Sequence, residues 1–275
     1  DIINKEIIGA NKILISDANK VKGFFDYRSL LETHLSHKDD VNIFKILINN
    51  ILPHAENRFT KKEIGIEWKI ILSEMKERKG MWRVDWLHKN TDSFSKGFKY
   101  LLNKIEKDVN NFIQYFDKSI SVIIGFDEIG YDEDDKSLYG DEAILKIKFS
   151  GVDIPKHHLF LNEARLSALA ISLYLASIKA NPLTGTLKIL VLDDLLIGLD
   201  MSNRLPLLLI LKNHFVNVEP SQQFQVVMTT YDKVWFDLVT SYFGSDKWHY
   251  IEIYSKKLKD DDYEMPIIKN SLGYI

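Results

Sequence analysis

The sequence predicts an α/β fold in which a mainly parallel sheet is flanked by helices and is preceded by a helical region. Residues 1–118 contain several stretches whose apolar positions recur at helical spacing. From residue 119 to residue 275, short β-branched segments alternate with longer apolar segments. That alternation is typical of strands joined by crossover helices in a parallel sheet. We therefore expect a helical domain at 1–118 and an α/β domain at 119–275.

Four segments of the first domain are predicted to be helical, with breaks at Pro53 and near Gly80. Three are residues 24–35, 41–52 and 64–75, and the strongest is residues 98–116. The last segment carries one apolar stripe, formed by Leu101, Leu102, Ile105, Val109, Phe112 and Ile113. No segment sustains a heptad pattern, so the sequence predicts no long coiled coil.

The second domain begins with two β-branched segments that are separated by an acidic, polar connection at 127–142. An apolar, alanine-rich helix follows and ends near residue 178. Further helices are predicted at 205–214 and 234–243, and the predicted strands are 120–126, 144–149, 189–192, 225–228 and 250–254.

Composition excludes several classes of protein. The 275 residues are 45% hydrophobic, carry a formal net charge of -3 and include no cysteine, which excludes disulfides and thiol chemistry. No charge-free apolar run reaches about 18 residues, and no signal peptide pattern is present, so we expect a cytoplasmic protein that does not span a membrane. The chain begins with Asp1 and not with methionine, so we expect a piece of a longer protein.

The segment 189–192 is apolar throughout and is followed directly by Asp193 and Asp194. A strand that is apolar on both faces belongs in the middle of a parallel sheet, and acids at its carboxyl end lie where open α/β sheets bind ligands. In nucleotide hydrolases the first such acid binds Mg²⁺ and the second polarises the attacking water. The alternative is a buried strand that ends in two solvated acids.

A second candidate site is the start of the alanine-rich helix. Asn162 is a favourable N-cap residue, and Glu163 and Arg165 follow it in the first turn. The start of a helix leaves N–H groups and a partial positive charge that suit a phosphate. The alternative is an ordinary capped helix of the core.

Two loops complete the candidate residues. Asp200 lies six residues after Asp194, and Gly198 gives the backbone freedom to leave the strand tightly. Thr230 and Tyr231 follow the predicted strand 225–228, and their hydroxyl groups can donate hydrogen bonds to a phosphate. The alternatives are a loop in which Asp200 caps the next helix, and a strand that runs into a polar turn.

Taken in order, LNEAR at 161–165, LVLDDLLIGLD at 190–200 and TTYD at 229–232 resemble three motifs of ABC-type ATPase heads. These motifs are the signature helix, the Walker B strand with its D-loop, and the switch strand. The combination is similar to that of bacterial ATPases related to the structural-maintenance-of-chromosomes and double-strand-break-repair groups. Many such proteins belong to DNA repair or anti-phage defence.

The resemblance implies the C-terminal lobe of a head that binds ATP and Mg²⁺ and dimerises with a second, identical head. It assigns Mg²⁺ to Asp193, general-base chemistry to Asp194 and the switch to Tyr231. Asn162, Glu163, Arg165 and Thr230 would face nucleotide, and Gly198 and Asp200 would act across the dimer. DNA and an effector protein are the further partners that it implies.

The chain departs from the family pattern at several positions. Glu163 and Ala164 replace signature glycines, Asp194 replaces a glutamate and Tyr231 replaces a histidine. The lysine loop GxxxxGK[ST] does not occur in the sequence, so we expect a Walker A lobe outside this chain and no hydrolysis by this chain alone. The alternative function is a non-hydrolysing interaction or scaffold module with a degenerate nucleotide site.

Basic and aromatic residues mix between residues 82 and 99, including Trp82, Arg83, Trp86, Lys96 and Lys99. Such a mixture could contact nucleic acid. Packing within the helical domain is the interpretation that we favour.

Overall fold

The computed structural model describes residues 23–25, 41–76, 81–181, 188–193, 201–257 and 264–271. The chain divides into two compact units, Asp1–Met228 and Thr229–Ile275, and each is described by itself. The predicted boundary between residues 118 and 119 stays a prediction.

Helices make up more than half of the described residues of the first unit. A short helix at Phe44–Ile46 passes directly into a π-helical turn at Leu47–Ile51, and the last long helix of the unit, Met201–Leu211, passes into another at Lys212–Val216. A 3-10 turn covers Pro220–Gln222. The helices are α1 (Phe44–Ile46), α2 (Ile64–Lys76), α3 (Met81–Phe116), α4 (His157–Phe160), α5 (Glu163–Ala180) and α6 (Met201–Leu211).

The strands of the first unit form three described sheets. The strands are β1 (Gly23–Phe25), β2 (Val41–Asn42), β3 (Ile120–Phe126), β4 (Gly130–Asp132), β5 (Ser137–Tyr139), β6 (Ala143–Phe149), β7 (Val152–Ile154), β8 (Ile189–Asp193) and β9 (Gln225–Thr229), which runs into the second unit. One sheet has the order β1-β8-β9, and β1 is parallel to β8. A second sheet has the order β2-β6-β3, with β7 also paired to β6, and β4 and β5 form a separate hairpin.

An aromatic cluster joins the helices to the antiparallel sheet. The Phe44 ring meets the rings of Trp68 and Phe98 edge-on, with centroids 5.1 and 5.2 Å apart. Phe94 lies against Trp68 at 5.3 Å, and Phe126 of β3 lies against Phe98 at 5.2 Å. Because large rings bury extensive apolar surface, this cluster fixes α1, α2, α3 and β3 to one another.

Helix α5 packs along the second half of α3. Between Ser167 and Ala180, only Tyr174 and Lys179 are not fully buried. Near the end of α5, Lys179 Nζ donates to Asp108 Oδ1 at 2.9 Å, whereas the start of α5 is bound to Asp117, beyond the end of α3. The two helices are therefore antiparallel, and apart from Tyr174 and Lys179 only the first turn of α5 lies near solvent.

In its described residues the second unit has the helix α7 (Lys233–Phe243) and an antiparallel hairpin formed by β10 (Tyr250–Lys257) and β11 (Glu264–Ser271). Gly244 follows α7 with φ 67°, a conformation that glycine adopts without strain and that suits a helix end. Tyr250 of β10 donates its hydroxyl to the Gly244 carbonyl at 2.6 Å and so ties the hairpin to the end of the helix.

Several predictions are confirmed. The strand predicted at 120–126 has those bounds, and the strands at 144–149, 189–192, 225–228 and 250–254 lie within β6, β8, β9 and β10. The helices predicted at 64–75, 98–116, 205–214 and 234–243 coincide with α2, the second half of α3, α6 with its π-helical turn, and α7.

Other predictions differ from the structure. The helix predicted at 24–35 is wrong at its start, because Gly23–Phe25 is a strand paired with β8, and residues 26–35 lie outside the described residues. The helix predicted at 41–52 begins only at Phe44, since Val41–Asn42 pairs with β6. The break predicted near Gly80 also lies outside the described residues.

The fold contains both helices and strands as predicted, but the expectation of a mainly parallel sheet is not confirmed. Among the described strand pairs with a register, only β1 with β8 is parallel. The physical reason lies in the connection at 127–142, which forms the β4–β5 hairpin and returns the chain beside β3 without a crossover helix. Among the helices that the structure describes, none combines the length and apolar character needed to cross a bilayer.

Candidate functional site

The start of α5 is a capped helix end that is open to solvent. Asn162 has extended backbone angles, and its Oδ1 accepts a hydrogen bond from the Arg165 backbone N–H at 3.0 Å. Asn162 and Glu163 are both exposed. The sequence therefore folds here as its residue types predict: the side chain of Asn162 satisfies one N–H of the first turn, and the earlier N–H groups have no partner within the helix.

Arg165 is held by its own chain. Its Nε donates to Asp117 Oδ2 at 2.7 Å, and its guanidinium lies 5.0 Å from the centre of the Phe149 ring. Burial favours a higher pKa for Asp117, but the hydrogen bond from the Ser119 N–H and the Arg165 ion pair outweigh it and lower that pKa below its ordinary value. The side chain of Arg165 remains 40% exposed, so part of the guanidinium is accessible beside the helix start.

Asn203 is a functional candidate that sequence reasoning missed. This buried residue of α6 donates from Nδ2 to the backbone carbonyl of Ala164 at 2.8 Å. The bond ties the beginning of α6 to the first turn of α5. The available signal was a single amide in the first turn of a helix whose second half is apolar, three residues after Asp200.

Asp193 is the last residue of β8, and it is exposed. Leu190 and Leu192 are buried, and Leu192 pairs with Phe25 of the parallel strand β1. The strand therefore has the predicted character, with an apolar body and a carboxylate presented at its C-terminal end. Asp194, Gly198 and Asp200 lie outside the described residues.

A single carboxylate can take part in a magnesium site, because Mg²⁺ is commonly held by one or two carboxylates together with water and substrate phosphates. Asp193 fits that pattern by its exposure and its place at the strand end. Within the described ranges, no group of three or more histidine, aspartate or glutamate side chains could enclose a metal ion. Asp193 can supply one of the one or two carboxylates that such a site uses.

Thr230 and Tyr231 belong to the second unit. Thr230 Oγ1 accepts from the Asp232 N–H at 3.0 Å, and Asp232 caps α7 by accepting from the Trp235 N–H at 3.1 Å. These bonds form a turn that leaves the Tyr231 side chain 77% exposed. The hydroxyl of Tyr231 is therefore presented to solvent by a well-defined local structure.

The basic and aromatic mixture at 82–99 is engaged in contacts within the chain. Arg83 is buried and its Nε donates to Glu74 Oε2 at 2.9 Å. Lys96 pairs with Asp92 at 2.8 Å and Lys99 with Glu128 at 3.5 Å. The buried Arg83 agrees with packing, the interpretation favoured from the sequence, whereas the two lysine pairs lie at the surface.

No protein-family model and no curated protein matches this chain. Among solved structures, it is similar to the Smc head bound to the C-winged helix domain of ScpA, at 14% identity over 73% of this chain with a TM-score of 0.42. The Pyrococcus furiosus Smc head with an extended coiled coil bound to the C-terminal domain of ScpA matches at 12% identity over 97% of this chain, with a TM-score of 0.42.

The recombination mediator protein RecF with ATP, from the RecFOR pathway, matches at 14% identity over 77% of this chain with a TM-score of 0.46. This chain spans 53%, 54% and 63% of the lengths of the three structures. The TM-scores are low, so these likenesses decide neither the fold nor the function of this chain.

Proposed function

We propose that this chain is the C-terminal part of an ATP-binding and ATP-hydrolysing head that pairs with a second, identical head when ATP is bound. The ordered resemblance across residues 161–232 supports this function. The observation that carries it is the first turn of α5, where a capped, solvent-open helix start projects from a helix whose body is buried. In this function the paired heads couple the nucleotide cycle to DNA or to an effector protein.

The first turn of α5 binds the phosphates of a nucleotide that the second head holds. Asn162 fixes the direction of the turn, so that its unpartnered N–H groups and the positive end of the helix dipole point outward. Arg165 is oriented by Asp117 and adds positive charge from the exposed part of its guanidinium. Glu163 is exposed, so its carboxylate is free to turn to solvent and away from the phosphates.

Asp193 binds Mg²⁺, which when present neutralises charge on the phosphates. Asp194 is its neighbour in the sequence and accepts the proton of the attacking water. Gly198 and Asp200 shape the loop that reaches the second head. The hydroxyl groups of Thr230 and Tyr231 donate hydrogen bonds at the switch.

The test uses the full-length protein and measures ATP turnover together with ATP-dependent dimerisation by light scattering. Asp194→Asn is expected to lower turnover by about a hundredfold or more and to leave ATP-stabilised dimers. Asn162→Ala is expected to weaken those dimers, because the first turn loses its cap. Asp246→Asn is the matched control, since Asp246 is an exposed aspartate in a bend of the second unit.

Unchanged turnover in Asp194→Asn would contradict the proposal and would favour a non-hydrolysing interaction or scaffold module. The same conclusion follows if ATP produces no dimer of the unmodified full-length protein. Equal effects of Asp194→Asn and Asp246→Asn would also contradict the assigned role, because the second substitution removes a similar charge far from any candidate residue in the sequence.

A further inference from the structure

An exposed apolar patch lies beside the first turn of α5. Phe149 ends β6 and Val152 begins β7, and the two residues are directly paired across the turn between these strands. Their side chains therefore lie on one face of the sheet, and Val152 is 64% exposed. Phe160, the last residue of α4, is 52% exposed. We call these three residues the aromatic patch. Exposed apolar patches of this kind mark sites where a ligand or a partner binds.

Ring contacts join the aromatic patch to the first turn of α5. The rings of Phe149 and Phe160 meet edge to face, with centroids 5.3 Å apart and planes at 67°. On the same Phe149 ring, the Arg165 guanidinium lies 5.0 Å from the centre. Arg165 is the residue whose backbone N–H is capped by Asn162. The aromatic patch and the capped helix start thus form one continuous surface.

The Phe160 ring has a face that is open to a ligand. In an edge-to-face pair the edge of one ring meets a face of the other, so each ring covers at most one face of its neighbour. At least one face of Phe160 is therefore not covered by Phe149. With 52% of the residue exposed, solvent reaches this ring. A flat aromatic group of a ligand can take the place of that solvent.

The backbone that carries the patch is well supported. Leu161, the residue after Phe160, is 4% exposed, and its N–H donates to the His157 carbonyl at 2.8 Å. In the turn between β6 and β7, the Ser150 N–H donates to the Ser119 carbonyl at 2.7 Å. Because these bonds already fix the ring positions, a ligand that binds here orders little additional structure.

The order of groups along this surface matches the order of groups in a nucleotide. The helix start and the exposed part of the Arg165 guanidinium suit phosphates, and the Phe160 ring suits an aromatic base. Phe160 and Asn162 are two residues apart, so their Cα atoms are separated by at most about 7 Å. A nucleotide whose phosphates lie at the helix start therefore has its base close to the aromatic patch.

We propose that the aromatic patch stacks on the base of the nucleotide and that Phe160 makes the site selective for purines. This inference rests on the proposed function, and it adds base recognition to the phosphate contacts given there. The double ring of a purine overlaps more of a phenylalanine face than the single ring of a pyrimidine does, so loss of the ring weakens purine binding more. An apolar surface of the second head would also cover the patch, but it would need apolar volume and not an aromatic face.

The experiment measures, by light scattering, the nucleotide concentration that gives half-maximal dimers of the full-length protein, with ATP, GTP and CTP in turn. Phe160→Ala is expected to raise this concentration about tenfold for ATP and GTP and clearly less for CTP. Phe160→Leu keeps the apolar volume without the ring, and we expect it to behave as Phe160→Ala does. Phe160→Tyr keeps the ring, and we expect it to behave as the unmodified protein does.

Phe59→Ala is the matched control, because Phe59 is a phenylalanine of similar exposure, 58%. The Arg58 guanidinium lies 5.6 Å from the Phe59 ring centre and 4.4 Å from that of Tyr100. Next to Tyr100, Lys104 donates to the carbonyl of Ala180, the last residue of α5. Phe59 thus lies toward the opposite end of α5, whose 18 residues span about 27 Å. The control is expected to change none of the three concentrations.

Two results would overturn this inference alone. The first is unchanged half-maximal concentrations in both Phe160→Ala and Phe160→Leu. The second is an equal weakening with ATP and CTP in Phe160→Ala together with normal dimers in Phe160→Leu, which would assign the patch to a protein surface of the second head. If the unmodified protein forms no dimers with any nucleotide, the proposed function fails and this inference fails with it. Unchanged thermal unfolding midpoints are expected to show that the variants are folded.

Discussion

The buried amide of Asn57 makes Gly97 one of the most constrained positions in α3. A Cβ atom at Gly97 would lie 2.2 Å from Asn57 Oδ1 and 2.4 Å from Asn57 Nδ2. Asn57 cannot move away cheaply, because it is fully buried and holds Glu67, Ser93 and Phe59 by hydrogen bonds. The substitution Gly97→Ala therefore forces the amide out of its site.

The magnitude follows from opposing effects. Alanine is favoured over glycine in a helix interior by about 1 kcal/mol. Losing one hydrogen bond to a carboxylate costs about 1.5–3 kcal/mol, and losing two to backbone groups costs about 1 kcal/mol each. The free energy of unfolding is therefore expected to fall by about 2.5–4 kcal/mol in Gly97→Ala.

Urea denaturation of the full-length protein measures this change as a lower midpoint with an unchanged slope. Asn57→Ala removes the obstructing side chain, so the two substitutions combined are expected to cost at least about 1 kcal/mol less than the sum of their separate effects. Gly125→Ala is the control, since the nearest atom to a Cβ there is a lysine carbon at 3.5 Å. A neutral or stabilising Gly97→Ala would refute the reasoning.

Three further predictions concern the ion pair, a half-buried histidine and the link between helices. The lowered pKa of Asp117 means that its ionised form stabilises the fold, and that this stabilisation is lost as the pH falls below about 4. Asp117→Asn is therefore expected to lower the free energy of unfolding near pH 7 by about 1 kcal/mol and to remove the Asp117 contribution to the loss of stability below pH 4. Urea denaturation from pH 2 to 7 measures both effects. Burial, with the nearby Lys179 charge, lowers the pKa of His214. The stability of the fold is therefore expected to fall as the pH drops below about 6.5, and to fall less in His214→Gln. Thermal unfolding measured across this pH range checks the difference. Asn203→Ala is expected to cost about 1 kcal/mol in urea denaturation and to weaken ATP-dependent dimers, because the Ala164 carbonyl loses its donor.

Each of these predictions has a result that contradicts it. If the free energies of unfolding of Asp117→Asn and of the unmodified protein fall in parallel below pH 4, the ionised carboxylate of Asp117 does not stabilise the fold. An identical pH dependence in His214→Gln would show that another group titrates there. Asn213→Ala is the control, because Asn213 is exposed. If ATP-dependent dimers of Asn203→Ala are as strong as those of the control, the hydrogen bond between α6 and α5 plays no part in dimerisation.

The sequence predicted those elements whose patterns are long or strongly apolar. Helix α2, the second half of α3 and the strands β3, β6 and β8 are determined by local periodicity and burial. Short strands were missed, because two or three apolar residues fit a helix as well as a strand. Gly23–Phe25 becomes a strand through its pairing with β8, a partner far along the chain.

The first half of α3 was missed for a different reason. Thr91, Ser93 and Ser95 have low helix propensity and favour other backbone conformations. In the structure Thr91 Oγ1 donates to the Leu87 carbonyl at 2.8 Å, and Ser93 Oγ donates to the Lys89 carbonyl at 2.9 Å. Ser95 Oγ accepts from the Ile129 N–H at 2.9 Å, so tertiary contact compensates for the unfavourable propensity.

At the candidate site, the sequence predicted the local features and not the distant partners. The cap of Asn162 follows from residue type and position alone, and the structure contains it. The partner of Arg165 is 48 positions away and that of Ala164 is 39 positions away. Such pairs depend on how α3, α5 and α6 pack, which no local pattern in the sequence specifies.

The ion pair between Asp117 and Arg165 has a mechanical consequence. The 36 residues of α3 would form a rod about 54 Å long if the helix were straight, and the residue just past its end holds the tip of α5. A pull or twist on that rod reaches the tip through this short bond between two charged groups as well as through the packing of α3 against α5. Removing the ion pair would leave that packing alone to couple the rod to the tip.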